Sequence, residues 1–384
     1  MSNREASVDP KLAALWLGPI IAFLAGGLMW FSSGIGTDAS ITLGITIWVV
    51  IWWMFEPIPI PASSLLPLAL LPLFGVLTPQ QVGTAYGHPL VLLLMGGFLL
   101  ATALERSGAH RRLALSMVRL FGGNSSRRLV FGFMVASAVL SMWISNTATV
   151  LMLLPVAIAV LDSSEDEELT VPLLLGIAYG ASIGGMGTPI GTPPNVVFMG
   201  VYEQATGESI AFATWMSWAI PIVLVLLPVA GLWVTRHLRY IGTFNLPEVG
   251  AWRTPEIRVM LVFSLTALAW VTRTGPFGGW TEWLQLPYSN DAIVAFLGVV
   301  VLFLVPNGEG EKLLDWDTAN KIPWGMLILF GAGISIATAF TSSGLSATIG
   351  QSLEQLSTLP LLLMIALLCL TVTFLTEVTS NTAT

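Results

Sequence analysis

The 384-residue chain is 55% hydrophobic and only 10% charged, which leaves too little polar surface to enclose a water-soluble core of this size and places it in a bilayer. Its one cysteine, Cys369, lies in an apolar run and excludes both a disulfide framework and a cysteine metal site. The net charge of −7 includes the run Glu165, Asp166, Glu167, Glu168, which reads as a solvated loop, and no nucleic-acid partner is expected.

After a polar tail, Met1 to Pro10, the first apolar run is long enough to span rather than to serve as a cleaved leader. Runs suited to crossing about 30 Å of hydrocarbon recur at 12–36, 40–55, 62–77, 89–104, 212–235, 257–272, 291–306 and 323–340. The stretches at 129–161, 171–202 and 359–379 differ, because polar or Gly/Pro-rich tracts interrupt or end them. Such breaks are tolerated in hydrocarbon only where they line a protected cavity. With a cytoplasmic N-terminus, a re-entrant 129–161 and a single broken crossing at 171–202, all 15 basic residues except Arg273 fall inside, as the positive-inside rule requires.

Residues 89–108, PLVLLLMGGFLLATALERSG, are repeated in outline at 323–344, PWGMLILFGAGISIATAFTSSG. The register continues into an amphipathic linker, 107–121 against 344–356, and then into Ser-Asn-Thr-Ala-Thr at 145–149 against 380–384. An odd number of crossings separates the two units, so the second is expected to be inverted in the membrane, with a site near the midplane where the repeats meet. Four segments are expected: N-terminal scaffold spans at 1–88, a first repeat at 89–240, connecting and scaffold spans at 241–322, and the start of a second repeat at 323–384.

Each pentapeptide ends an apolar segment and offers hydroxyl and amide groups that either donate to an anion or ligate a hard cation through oxygen. A hairpin tip also leaves helix ends unsatisfied, so N–H groups face a carboxylate while carbonyls face a cation, without any buried protein charge. Ser141 and Thr376 stand one helical turn before Ser145 and Ser380 and add a hydroxyl to each cation site. Between the repeats, Gly184-Gly185-Met186-Gly187-Thr188-Pro189-Ile190-Gly191-Thr192-Pro193-Pro194-Asn195 breaks the helix and is expected to present carbonyls, Thr192 and Asn195 opposite the first tip. His88 reads as interfacial, Glu377 as support beside the second tip, and Glu56 as a helix-end cap or gate.

The paired SNTAT motifs, GTPPN at 191–195 and EPIPIPASSLLP at 56–67 resemble the divalent anion/sodium symporter family, which includes sodium-dicarboxylate and sodium-citrate cotransporters. The resemblance covers essentially the whole chain. It implies an all-α inverted-repeat elevator transporter in the inner membrane, working as a homodimer that carries sodium and a di- or tricarboxylate, and no enzyme. By the same resemblance Ser145, Asn146, Thr147, Ser380, Asn381 and Thr382 contact the substrate carboxylates, joined by Thr192. It also implies a first sodium site from Ser141, Ser145, Asn146 and Gly191, and a second from Thr376 and Asn381. The family pattern continues past the second pentapeptide with a returning hairpin arm, a second Gly/Pro loop and a last span. The sequence ending at Thr384 is therefore expected to be an incomplete, poorly transporting piece. Carriage of sulfate or another inorganic anion stays open, as hydroxyl and amide donors suit it equally.

Overall fold

A computed structural model describes all residues except 1–9, 33–35, 123, 243, 245, 247, 249, 276–277, 353–359 and 377–384. The described residues form an all-α membrane protein with no strand beyond one isolated bridge between Pro306 and Lys312. In chain order the helices are α1 (Pro10–Ser32), α2 (Thr37–Phe55), α3 (Ile60–Ser63), α4 (Leu66–Leu73), α5 (Pro79–Tyr86), α6 (Pro89–Ser107), α7 (Ala109–Phe121), α8 (Ser126–Ser141), α9 (Asn146–Asp162) and α10 (Thr170–Gly185). They continue with α11 (Pro193–Thr206), α12 (Phe212–Val234), α13 (Thr254–Val271), α14 (Gly279–Trp283), α15 (Asp291–Leu304), α16 (Trp316–Ala319), α17 (Trp324–Ser342), α18 (Leu345–Ser352) and α19 (Leu361–Thr376). Among the described residues, 6 helical stretches are long and apolar enough to cross a membrane.

Two of the expected spans are shorter than their apolar runs. The run at 62–77 divides into α3 and α4, because Pro61 and Pro67 each open a new helix and Pro72 weakens the end of the second. The run at 291–306 yields the 14-residue α15, which rises only about 21 Å before Val305 turns extended ahead of Pro306. By contrast, 171–202 is the broken helix its composition demands: α10, an irregular turn, then α11 opening on Pro193 and Pro194.

The chain divides into two compact units, residues 1–91 with 324–384, and residues 92–323. In the first, Ile45, Val49, Leu71, Val76, Leu77, Val82 and Ala339 form the core. Tyr86 lies against the bare backbone of Gly331 and donates to Ser64 O at 2.6 Å. Glu56 ends α2 in the left-handed region, φ 47°, its N–H on Trp52 O, so its backbone is a helix cap.

The second unit is organised by α10 lying along α8. Gly176, Gly180 and Gly184 recur every fourth residue and remove side chains from the contact; a Cβ on Gly180 would come within 2.6 Å of Met134 O. Close approach of this kind is how helices gain dispersion contact in lipid, where burial of apolar surface supplies no drive. Ser137 ties the pair by donating to Ile177 O at 2.7 Å. The amphipathic α7 buries Ala109, Ala114, Leu115 and Val118 and leaves Arg111, Arg119, Leu120 and Phe121 exposed, the pattern of a helix at a membrane surface. The acidic loop is partly tied down: Ser126 donates to Asp166 and Tyr240 to Glu165. Both repeated helix pairs bend at a left-handed glycine, Gly108 with φ 79° and Gly344 with φ 77°, a conformation glycine adopts without steric cost.

Candidate functional site

The first pentapeptide lies at the turn between α8 and α9. Ser145 is the N-cap of α9, its side chain accepting from Ala148 N at 3.2 Å. This leaves the amide end of a 17-residue helix at the tip. Trp143, within the turn, stacks at 6.1 Å on Phe212 and meets Phe263 edge-on at 5.1 Å, while Phe212 stacks on Trp270 at 4.6 Å. Phe212 and Trp270 are fully buried, so the back of the tip is braced by rings rather than by polar loop contacts.

The front of the tip faces the break between α10 and α11. Asn195, buried in the first turn of α11, donates from Nδ2 to Gly185 O at 2.9 Å and to Thr188 O at 2.8 Å, fixing the irregular turn from within. Thr188 donates to Met142 O, and Trp215 donates to Met186 O at 2.9 Å, so the turn is tied to the hairpin on one side and to α12 on the other.

Backbone oxygens gather around Gly191. A methyl group built there would stand 2.9 Å from Ser141 O and 3.1 Å from Met142 O, and closer still to Gly185 O. Asn146 Oδ1 occupies the notch left by the missing side chain of Gly185 and accepts from Ser141 Oγ at 2.6 Å. The result is a cluster of neutral oxygens with no ionisable residue in either 141–149 or 184–195. That donor set is what a hard monovalent cation requires, and neutral ligands permit both binding and release.

The structure thus brings together Ser141, Asn146 and Gly191, with Ser145 at the adjoining cap. Ser145 and Thr147 are exposed, and Thr192 is half-buried at the start of α11 with no side-chain capping bond. Ser380, Asn381 and Thr382 lie outside the described residues, as does the side chain of Thr376 at the end of α19.

Two features stand outside the residues expected for the site. The carbonyl of Met142 carries no side-chain signal, whereas that of Gly185 belongs to the 184–195 break, which was expected to present carbonyls. Thr149, 1% exposed, has a hydroxyl with no hydrogen-bond partner among the described residues. Thr42, Thr46, Thr84, Thr102, Thr235 and Thr266 each donate to the carbonyl four residues earlier, as a helical threonine ordinarily does. Thr149 shares a face with Asn146 and Leu153, and its sequence signal was its place at the end of the duplicated Ser-Asn-Thr-Ala-Thr.

The family model described as "Citrate transporter" matches residues 50–384. The sodium-dependent dicarboxylate transporter SdcS of Staphylococcus saprophyticus is 36% identical over 411 aligned positions, covering 100% of this chain and 77% of the relative. SdcS of Staphylococcus aureus is 38% identical over 399 positions, covering 97% and 76%. With the broken helix, the capped hairpin tip and the oxygen cluster in place, these matches settle the assignment: the chain belongs to the citrate transporter family.

Proposed function

We propose that the chain is a sodium-coupled symporter of di- or tricarboxylates, of the succinate, malate, fumarate and citrate class. The observation that carries this reading is the uncharged oxygen cluster in which Gly185 O, Ser141 O and Met142 O surround Gly191 while Asn146 Oδ1 lies against Gly185, beside the amide end of α9. Sodium is cargo here: bound in the cluster, it supplies the positive charge that lets a carboxylate settle at a tip containing no cationic side chain. The chain's own groups do the rest. Ser145, Asn146 and Thr147 present hydroxyl and amide donors at the N-terminus of α9, where unsatisfied N–H groups favour an anion. Thr192 extends that surface from the start of α11.

The repeated segment at 323–384 is read as an inverted copy that supplies the second half of the site through Ser380, Asn381 and Thr382, with Thr376 and Asn381 holding a second sodium. The segments 1–88 and 241–322 serve as scaffold, 89–240 carries the first half-site, and movement of the site-bearing part across the bilayer gives alternating access. The working form is a homodimer in the cytoplasmic membrane with the N-terminus inside.

The deciding experiment is uptake of labelled succinate into proteoliposomes with and without an inward sodium gradient, with Asn146→Ala as control. Sodium-driven uptake abolished in the variant supports the reading. Folded protein that ignores sodium and a panel of carboxylates sinks it.

A further inference from the structure

Within the second unit, α10 and α12 bound a groove of about 690 Å³. Its walls follow from the spacing of side chains along the two helices. Tyr179 and Ile183, four apart, line it from α10, and Leu226, Ala230 and Trp233 form one stripe of α12. The short Ala230, packed against the core, leaves a recess between the two larger side chains. Val229, which also lines the groove, and Trp233 are 58% and 68% exposed, so it opens to the lipid. It follows α12 from Leu226 to the helix end at Val234 and on to Arg236, a rise of about 15 Å and so the depth of one leaflet of hydrocarbon about 30 Å thick.

One end of this apolar groove is cationic. Arg236 is exposed just past α12, whose 23 residues are long enough to cross the hydrocarbon, so its guanidinium stands at the membrane surface. The guanidinium lies over the Trp233 ring at 3.8 Å, and its Nε donates to His237 Nε2 at 2.8 Å. These contacts hold the side chain at the groove while no carboxylate among the described residues pairs with its terminal nitrogens. Two more cations belong to the same end: Arg127 Nη2 donates to Thr235 O at 3.4 Å, and Arg239 is exposed. Glu165 and Asp166 lie there too, but they accept from Tyr240 and Ser126.

We propose that this groove binds an anionic glycerophospholipid, with one acyl chain laid along α10 and α12 and the phosphate on the terminal nitrogens of Arg236. A planar guanidinium matches phosphate oxygens with two parallel hydrogen bonds, and its ring stacking fixes the fork in place before the lipid arrives. A lipid carrying an ammonium headgroup would set that cation beside Arg236, Arg127 and Arg239, so net negative charge is selected. A soluble anion lacks the chain that fills the recess, and an uncharged apolar molecule leaves the guanidinium edge unused. The proposal concerns the outer face of α10 and α12, away from the oxygen cluster, and is independent of what the protein carries.

The test uses the purified full chain, stripped of lipid in mild detergent and titrated with phosphatidylglycerol, with phosphatidylcholine of the same acyl chains, or with glycerol 3-phosphate. Native mass spectrometry and thermal unfolding are the readouts. The parent protein is expected to retain phosphatidylglycerol several-fold more than phosphatidylcholine and to gain thermal stability from it, and to gain none from glycerol 3-phosphate. Arg236→Gln should abolish the preference, while Arg111→Gln, on the exposed face of α7, should keep it. Val229→Trp fills the groove from its exposed side, so the phosphatidylglycerol adduct should fall several-fold. Either groove variant suffices if the other fails to fold. Equal retention of the two lipids by the parent, equal loss in both arginine variants, or equal stabilisation by glycerol 3-phosphate would overturn the proposal. So would a Val229→Trp variant that keeps the adduct and changes only the oligomeric state, which would give the groove to a second copy of the chain.

Discussion

Ser141 Oγ donates to Asn146 Oδ1 at 2.6 Å across the turn between α8 and α9, so the residue ending one hairpin arm orients the amide that begins the other. Replacing it with alanine frees that amide to rotate out of the oxygen cluster. Ser141→Ala is expected to raise the sodium concentration for half-maximal uptake about three- to tenfold, the worth of one neutral hydrogen bond. Maximal rate at saturating sodium should change less. An unchanged sodium dependence in folded protein would remove Ser141 from the cation site.

Gly191→Ala pushes a methyl group into the space between Ser141 O and Met142 O, at 2.9 and 3.1 Å. Sodium-dependent thermal stabilisation should be lost, and overpacking should cost about 1–3 kcal/mol of stability. Gly333→Ala, with nothing within 4 Å of the added carbon, is the matched control and should behave as the parent. Equal sodium responses from the two variants would contradict the cluster as a cation site.

Thr149→Val removes the enclosed hydroxyl while keeping its shape. Without sodium, unfolding temperature should equal or exceed that of the parent, since an unpaired buried polar group costs about 1–3 kcal/mol. If the hydroxyl serves the site, the rise on adding sodium should shrink in Thr149→Val and return in Thr149→Ser. A full sodium response in the valine variant would make Thr149 a packing residue only.

Glu256, 3% exposed, pairs with Arg112 Nε at 2.8 Å, and Arg112 also donates to Ala251 O at 2.7 Å, while Arg253 donates to Ser107 O at 2.8 Å. This network holds the start of α7 against α13. Glu256→Ala leaves the partly buried Arg112 without its carboxylate, on the backbone oxygens of Gly250 and Ala251 alone, and is expected to destabilise by about 1–3 kcal/mol. The double variant Arg112→Met with Glu256→Leu should recover much of that loss. Independent, additive effects in thermal unfolding would argue against the pair.

Burial holds the His110 imidazole below the usual histidine range, and Arg111 adds to the effect against the opposing Leu104 carbonyl. A folded pKa below the unfolded one means that stability is present above about pH 6.5 and is lost as pH falls through the folded value. Unfolding temperature should therefore drop on acidification below that point, and drop less in His110→Gln. Identical pH profiles would exclude the histidine.

Composition alone determined that the chain enters a bilayer, and the duplicated pentapeptides located the first tip, because a polar tract inside apolar sequence has few physical explanations. The break at 184–195 was equally legible, since glycine and proline cannot continue a helix there. Apolar composition did not show where helices stop: prolines divide 62–77 into two short helices, and α15 ends two residues before the apolar run at 291–306 does. What only the tertiary structure decided is which oxygens gather around Gly191 and the groove between α10 and α12. Backbone carbonyls are the same in every residue, so the sequence could point to the 184–195 break as a source of carbonyls but not to Met142 or to Gly185 in particular. Likewise, the unpaired state of Thr149 exists only once neighbouring helices have closed around it, because burial and hydrogen-bond pairing are properties of packing and not of residue type.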